Sequence, residues 1–60
     1  MPEFHDSAEY YIYFNGLPHA QKFKYEVAMK LLNMGIIKFF ETRYIGGAVH
    51  YFKVNDNEQA

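Results

Sequence analysis

Sixty residues, half of them hydrophobic and a fifth aromatic, are enough for one small domain near the lower size limit for independent folding. The chain contains no cysteine, which excludes disulfides and cysteine-ligated zinc. The net charge of −1 hides an asymmetry, because all basic side chains other than histidine lie between residues 10 and 54, while most acidic ones lie outside that range. No apolar run is long enough to span a membrane, and a cytoplasmic location is the default expectation.

Residues 1–8 show no periodicity and are expected to form a flexible N-terminal arm. This segment is acidic and lacks the basic and apolar regions of a signal peptide. Residues 9–54 are expected to form a single α+β domain. The polar, acidic residues 55–60 are expected to form a disordered tail.

The first predicted element is a strand over residues 10–14, where aromatic and β-branched side chains stop at Asn15-Gly16. Asn-Gly is a strong hairpin signal, and alternation resumes a few residues later. However, Pro18 and a longer 3.6-residue period favour a helix over 18–34.

The predicted helix carries two apolar faces. The stripe expected to face the core comprises Ala20, Phe23, Val27, Leu31 and Met34. A second apolar face comprises Tyr25, Ala28, Met29 and Leu32. A helix in a two-layer domain needs one stripe, so the second face either lies deep in a wrapped monomer or packs on another molecule. Tyr25, Met29 and Leu32 are therefore candidates for self-association.

Two further strands, over 36–45 and 48–54, flank Gly46-Gly47, which is typical of a tight hairpin. A two-residue loop predicts that Arg43 faces His50 on one side of the sheet. It also predicts, on the other side, that Tyr44 meets Val49 and that Thr42 meets Tyr51. The predicted fold is thus a β-α-β-β domain, with one helix on one face of a three-stranded sheet and the other face bare.

The bare face is predicted to gather aromatic and basic side chains, namely Tyr11, Tyr13, Phe40, Tyr44 and Tyr51 with Lys38 and Lys53. Three interpretations follow. The arm covers this face, the face is a protein interface, or it is a stacking platform for single-stranded nucleic acid. In the last case Phe40, Tyr44 and Tyr51 would stack on bases while Lys38 and Lys53 bind phosphates.

The sequence patterns that would indicate a catalytic site or a metal site are weak. Glu41, Arg43 and His50 are expected to be neighbours on the helix side, but no nucleophile accompanies them. We expect Glu41 and Arg43 to pair with each other in water. The three histidines are far apart in sequence, and Gly46-Gly47 joins two strands and does not open a helix. The sequence predicts no enzyme activity, no metal site and no cofactor.

In its shortness, its lack of catalytic residues and its surplus of aromatic side chains, the chain resembles small accessory proteins of bacteriophages and mobile elements. The resemblance implies binding to, and blocking of, a host or defence protein. The sequence thus favours a homodimeric protein–protein interaction module that occludes a larger complex and does not contact membranes. The alternative is a small single-stranded nucleic-acid-binding protein.

Overall fold

Five secondary-structure elements follow one another in the computed structural model, which describes residues 2–56. They are β1 (Glu9–Tyr13), β2 (Gln21–Phe23), α1 (Tyr25–Asn33), β3 (Ile37–Tyr44) and β4 (Ala48–Val54). The α+β class is confirmed. The sheet has four strands, one more than predicted, because part of the segment assigned to the helix is extended.

The sheet has the strand order β2-β1-β4-β3, so two antiparallel hairpins lie side by side. Their inner strands, β1 and β4, pair in parallel, with Tyr10 opposite His50 and Ile12 opposite Phe52. Paired residues of neighbouring strands point to the same face of a sheet. These four side chains therefore share one face, and all four are buried there.

The helix begins at Tyr25, so the predicted start at residue 18 was wrong. Residues 21–23 pair with β1 instead, forming the hairpin that Asn15-Gly16 had signalled. Gly16 has a φ of +87°, which favours glycine, and the ring of Phe23 packs 5.7 Å from that of Phe14. Strand pairing and this aromatic contact outweigh the apparent helical period.

The predicted end of the helix is confirmed. Gly35 has a φ of +76°, and its N–H donates to the carbonyl of Leu32 at 3.0 Å. The N–H of Ile36 donates to the carbonyl of Leu31, also at 3.0 Å. These two bonds satisfy carbonyls of the last turn, as in a Schellman-type cap.

The helix turns a different face to the sheet from the one predicted, although Leu31 of the predicted stripe also packs against the core. Ala28 is fully buried, and the ring of Tyr25 lies 5.5 Å from that of Tyr10. Met29 and Leu32 pack against the same core, whereas Val27 is 41% exposed. Positions 25, 28, 29 and 32 have the i, i+3, i+4, i+7 spacing of one helix face. The placement of Tyr25, Met29 and Leu32 on an outward self-association face was therefore wrong.

Phe4 also packs on the helix side of the sheet. Its ring centroid lies 5.0 Å from that of His50, 5.4 Å from that of Phe52 and 5.9 Å from that of Phe39. The hydroxyl of Tyr10 donates to the carbonyl of His5 at 2.6 Å, next to Phe4. This part of the expected flexible arm thus completes the core. Of the expected tail, residues 57–60 lie outside the described residues.

The hairpin of β3 and β4 turns at the predicted glycines but in a different register. Its loop has three residues, 45–47, so that Tyr44 pairs with Ala48 and Thr42 with His50. Gly47 adopts a φ of +142°, and the N–H of Ile45 donates to its carbonyl at 2.9 Å. The predicted pairs were wrong because one additional loop residue shifts every partner.

A β-bulge at Phe40 lies between the pairs Phe39–Phe52 and Glu41–Tyr51. A bulge places two residues of one strand opposite a single residue of its partner. As a result, the β3 residues before Phe40 keep their predicted faces, while the β3 residues after it exchange faces. Glu41 moves away from the helix side, and Tyr44 moves onto it.

Candidate functional site

The sheet face opposite the helix, here called the open face, is the candidate site. Within residues 2–56, α1 and Phe4 pack on the other side, and no helix or strand packs on this one. Strand alternation and pairing place on it the side chains of Glu9, Tyr11, Tyr13, Lys22, Lys38, Phe40, Glu41, Arg43, Val49, Tyr51 and Lys53.

Three tyrosines form a stack across β1 and β4. The ring of Tyr51 lies 5.5 Å from that of Tyr11 and 5.8 Å from that of Tyr13, with interplanar angles of 25° and 26°. Phe40 extends the cluster, meeting Tyr13 edge-on at 5.9 Å. The tyrosine rings therefore turn their faces to one another. What they offer to solvent is largely ring edges and hydroxyl groups.

Two cations lie over rings of this cluster. The guanidinium carbon of Arg43 is 5.1 Å from the centroid of Tyr51, and Nζ of Lys53 is 4.0 Å from the centroid of Phe40. Arg43 is itself held by Glu41, whose Oε2 accepts from Nε at 2.8 Å and lies 2.7 Å from the terminal nitrogen. Positive charge is thus positioned beside aromatic surface, as cation–π attraction favours.

Six of the seven predicted partner-binding residues lie together on the open face: Tyr11, Tyr13, Lys38, Phe40, Tyr51 and Lys53. Tyr44 does not, because the three-residue loop places it on the helix side. There it is 79% exposed and borders a depression of about 420 Å³ together with His5, Ala8 and His50.

The sequence analysis missed the charged pair that accompanies the tyrosines. Glu41 and Arg43 were expected on the helix side with His50, and that placement was wrong. Their pairing with each other is confirmed. The available signal was Phe39 and Phe40, two adjacent phenylalanines inside an alternating strand. At a bulge, two neighbouring residues can supply an apolar side chain to each face of the sheet.

His50 lies on the helix side, and it forms no ion pair within residues 2–56. Its Nδ1 is 2.8 Å from Oγ1 of Thr42, and only 3% of the residue is exposed. Burial lowers the pKa of His50, and the nearby His5 lowers it further. Burial likewise raises the pKa of Tyr10, helped by Tyr25 and Asp6. A neutral imidazole bonded to a hydroxyl, under the ring of Phe4, is an arrangement that completes a core.

Among residues 2–56, no three histidine, aspartate or glutamate side chains come close enough together to hold a metal ion. In the same range, no helix has both the length and the apolar character needed to cross a membrane. The chain matches no protein-family model, and no curated protein or solved structure is significantly similar to it. The open face is the feature from which a function can be inferred.

Proposed function

We propose that this protein is a non-enzymatic protein-binding module that docks through its open face and acts by occluding a site on a larger protein complex. One observation carries the proposal: three stacked tyrosines with a positioned arginine lie on a sheet face that no helix or strand of residues 2–56 covers. Tyrosine and arginine are enriched at protein interfaces and among the residues whose truncation costs most binding energy.

The stack supports a protein partner because its rings are already ordered. Tyr51 is fixed between two neighbours, so little side-chain entropy remains to be lost on binding. Hydroxyl tips and ring edges can donate, accept and pack against a mixed protein surface. A standard interface buries about 800 Å² of each partner, which is roughly a fifth of the 4353 Å² surface of this chain. One sheet face is a suitable size for that role.

Single-stranded nucleic acid is the second candidate, favoured by the lysines on the same face. Base stacking needs a free ring face. Here Tyr51 stacks with Tyr11 and Tyr13, and Lys53 lies over Phe40. Fewer ring faces are therefore left for a base than on an unstacked platform, which supports the protein-binding proposal over this one.

Capture of a partner from lysate of the native source tests the proposal. The tagged wild-type chain is compared with Tyr13→Ala/Tyr51→Ala and with the control Tyr44→Ala, which removes a more exposed tyrosine from the other side of the sheet. We expect the wild type and the control to retain the same protein. The double variant should lose it, since each interface anchor contributes on the order of 2 kcal/mol, or about thirtyfold in affinity.

Circular dichroism of each variant checks that the fold persists. Equal capture by the double variant would contradict docking through the open face. Recovery of nucleic acid instead, with an affinity that drops steeply as salt rises, would support the second candidate.

A further inference from the structure

Two lysines that take part in no ion pair within residues 2–56 face each other on the open face. Lys38 and Lys53 are directly paired across β3 and β4, and both are exposed. Like charges at opposed positions of an antiparallel pair destabilise a sheet. The ion pairs within residues 2–56 are His5–Glu3 and Arg43–Glu41, and neither lysine takes part in one. The fold thus retains an unfavourable local repulsion at this position.

The two lysine side chains line a depression with a volume of about 590 Å³. Aromatic rings and one carboxylate line it beside the lysines: the residues used here are Tyr13, Phe40, Lys38, Lys53 and Asp56. Nζ of Lys53 stays 4.0 Å above the ring centroid of Phe40. The rings of Phe40 and Tyr13 thus offer apolar contact surface directly beside positive charge.

Positive charge elsewhere on the open face is less available. The charge of Arg43 is compensated by Glu41 at 2.7 Å. Lys22 lies on β2, at the opposite edge of the sheet, beside Tyr11. The attraction for an anion is therefore concentrated at Lys38 and Lys53. Their positive charge is complementary to carboxylates of a bound chain.

We propose that Lys38 and Lys53 form the anchoring site for an acidic segment of a protein partner, whose carboxylates bind the two ammonium groups while a neighbouring apolar side chain enters the depression beside Phe40 and Tyr13. This inference rests on the proposed protein-binding function and names the chemistry of the partner. Binding offsets the lysine–lysine repulsion, because an anion between two ammonium groups adds two attractions at shorter distance than the repulsion.

Fluorescence anisotropy with the full chain and labelled probes tests the site. The main probe is a short peptide of alternating glutamate and tyrosine. The matched peptide replaces glutamate with glutamine, and a labelled oligothymidylate represents phosphate as the anion source. At low salt we expect the acidic peptide to bind at least about tenfold more tightly than the glutamine peptide.

The deciding variant is Lys38→Gln/Lys53→Gln. The control, Lys24→Gln/Lys30→Gln, removes the same charge from exposed positions at the start and in the last turn of the helix. We expect the first variant to lose at least about tenfold in affinity for the acidic peptide and the control to lose much less. Lys38→Arg/Lys53→Arg should retain binding. Thermal melts should show the Gln variant at least as stable as the wild type, because it removes a repulsion.

Equal losses in the two Gln variants, or no preference for the acidic peptide, would overturn the anchoring site. Tighter, lysine-dependent binding of oligothymidylate would overturn it too, in favour of phosphate. The proposed protein-binding function has a separate test. It is contradicted if Tyr13→Ala/Tyr51→Ala still captures the partner, whatever the result for the lysine variants.

Discussion

At the scale of single residues, His50 couples the fold to pH. Burial lowers its pKa, so the native state holds the imidazole neutral while the unfolded chain takes up a proton near pH 6.5. In that range the unfolded state binds more protons, and the free energy of unfolding falls as pH decreases. The imidazole contacts Thr42, Phe4 and Tyr10. The charged groups that line the adjoining depression are His5 and Glu3, which pair with each other at 3.2 Å.

We therefore predict that the wild type loses stability between about pH 7.5 and 5.5, with a slope of at most about 1.4 kcal/mol per pH unit from this one group. Urea denaturation at both pH values measures the loss. In His50→Gln the pH dependence should shrink. The matched variant His19→Gln, at an exposed position, should keep it. A slope unchanged in His50→Gln would show that His50 is not the group responsible.

Whether the sequence could assign a residue to the correct face of the sheet depends on how far that residue lies from the bulge and the turn. Tyr11, Tyr13 and Tyr51 lie as predicted, because strict alternation within β1 and β4 is enough to assign their face. Tyr44 was misplaced because its face depends on the loop length. A two-residue and a three-residue loop both use glycine, so the residue pair 46–47 alone does not distinguish them.

At the scale of elements, one variant on each side of α1 tests directly which face of the helix packs against the sheet. Met29 packs against the core, while Val27 is 41% exposed. We predict that Met29→Ala lowers the free energy of unfolding by about 1–3 kcal/mol, the lower range for a partly buried side chain. Val27→Ala should change it by less than about 0.5 kcal/mol, since the gain in helix propensity offsets the small loss of burial.

Chemical denaturation of both variants measures the difference. The reverse order, with Val27→Ala the more destabilising, would restore the face that the sequence period predicted. That period was misleading for a physical reason. Three of the five positions in the predicted stripe, Ala20, Phe23 and Met34, lie outside α1, which spans Tyr25–Asn33. Once they are removed, the remaining apolar positions of α1 fit the other face equally well.

The elements whose ends carry specific backbone chemistry were predictable. Gly35 ended the helix, and Gly46-Gly47 marked a hairpin. Asn15-Gly16 also signalled a hairpin, but the helical period was preferred over it. The β2 strand was not predictable, because three residues are too few to show a periodic pattern of apolar side chains. Its position depends on pairing with β1 and on the packing of Phe23 against Phe14, which are tertiary interactions.

At the scale of the whole molecule, exposed apolar side chains concentrate along one edge of the sheet. Five of the seven large exposed hydrophobic residues on the described surface lie on β3 or beside its ends: Met34, Ile36, Phe40, Tyr44 and Ile45. β3 is also an outer strand of the sheet, with one side unpaired within residues 2–56. A long outer strand with apolar neighbours is a frequent site of strand pairing between chains.

We therefore propose β3, and not the helix, as the contact of the expected homodimer. We predict a dimeric mass by light scattering at tens of micromolar, and a shift toward the monomer in Ile36→Asp/Ile45→Asp. Leu17→Asp, an exposed apolar residue away from β3, is the control and should leave the mass unchanged. A strictly monomeric wild type would remove the dimer from consideration.

The parallel pairing of β1 with β4 has a consequence for how the chain reaches its native state. Tyr10 and His50, which are neighbours at the centre of the sheet, are separated by most of the described sequence. Joining such distant segments costs loop-closure entropy before any contact compensates for it, and chains rich in such contacts fold more slowly than helical ones. During synthesis on the ribosome, β1 has no central neighbour until β4 has emerged. Its apolar side chains remain accessible to chaperones until that point.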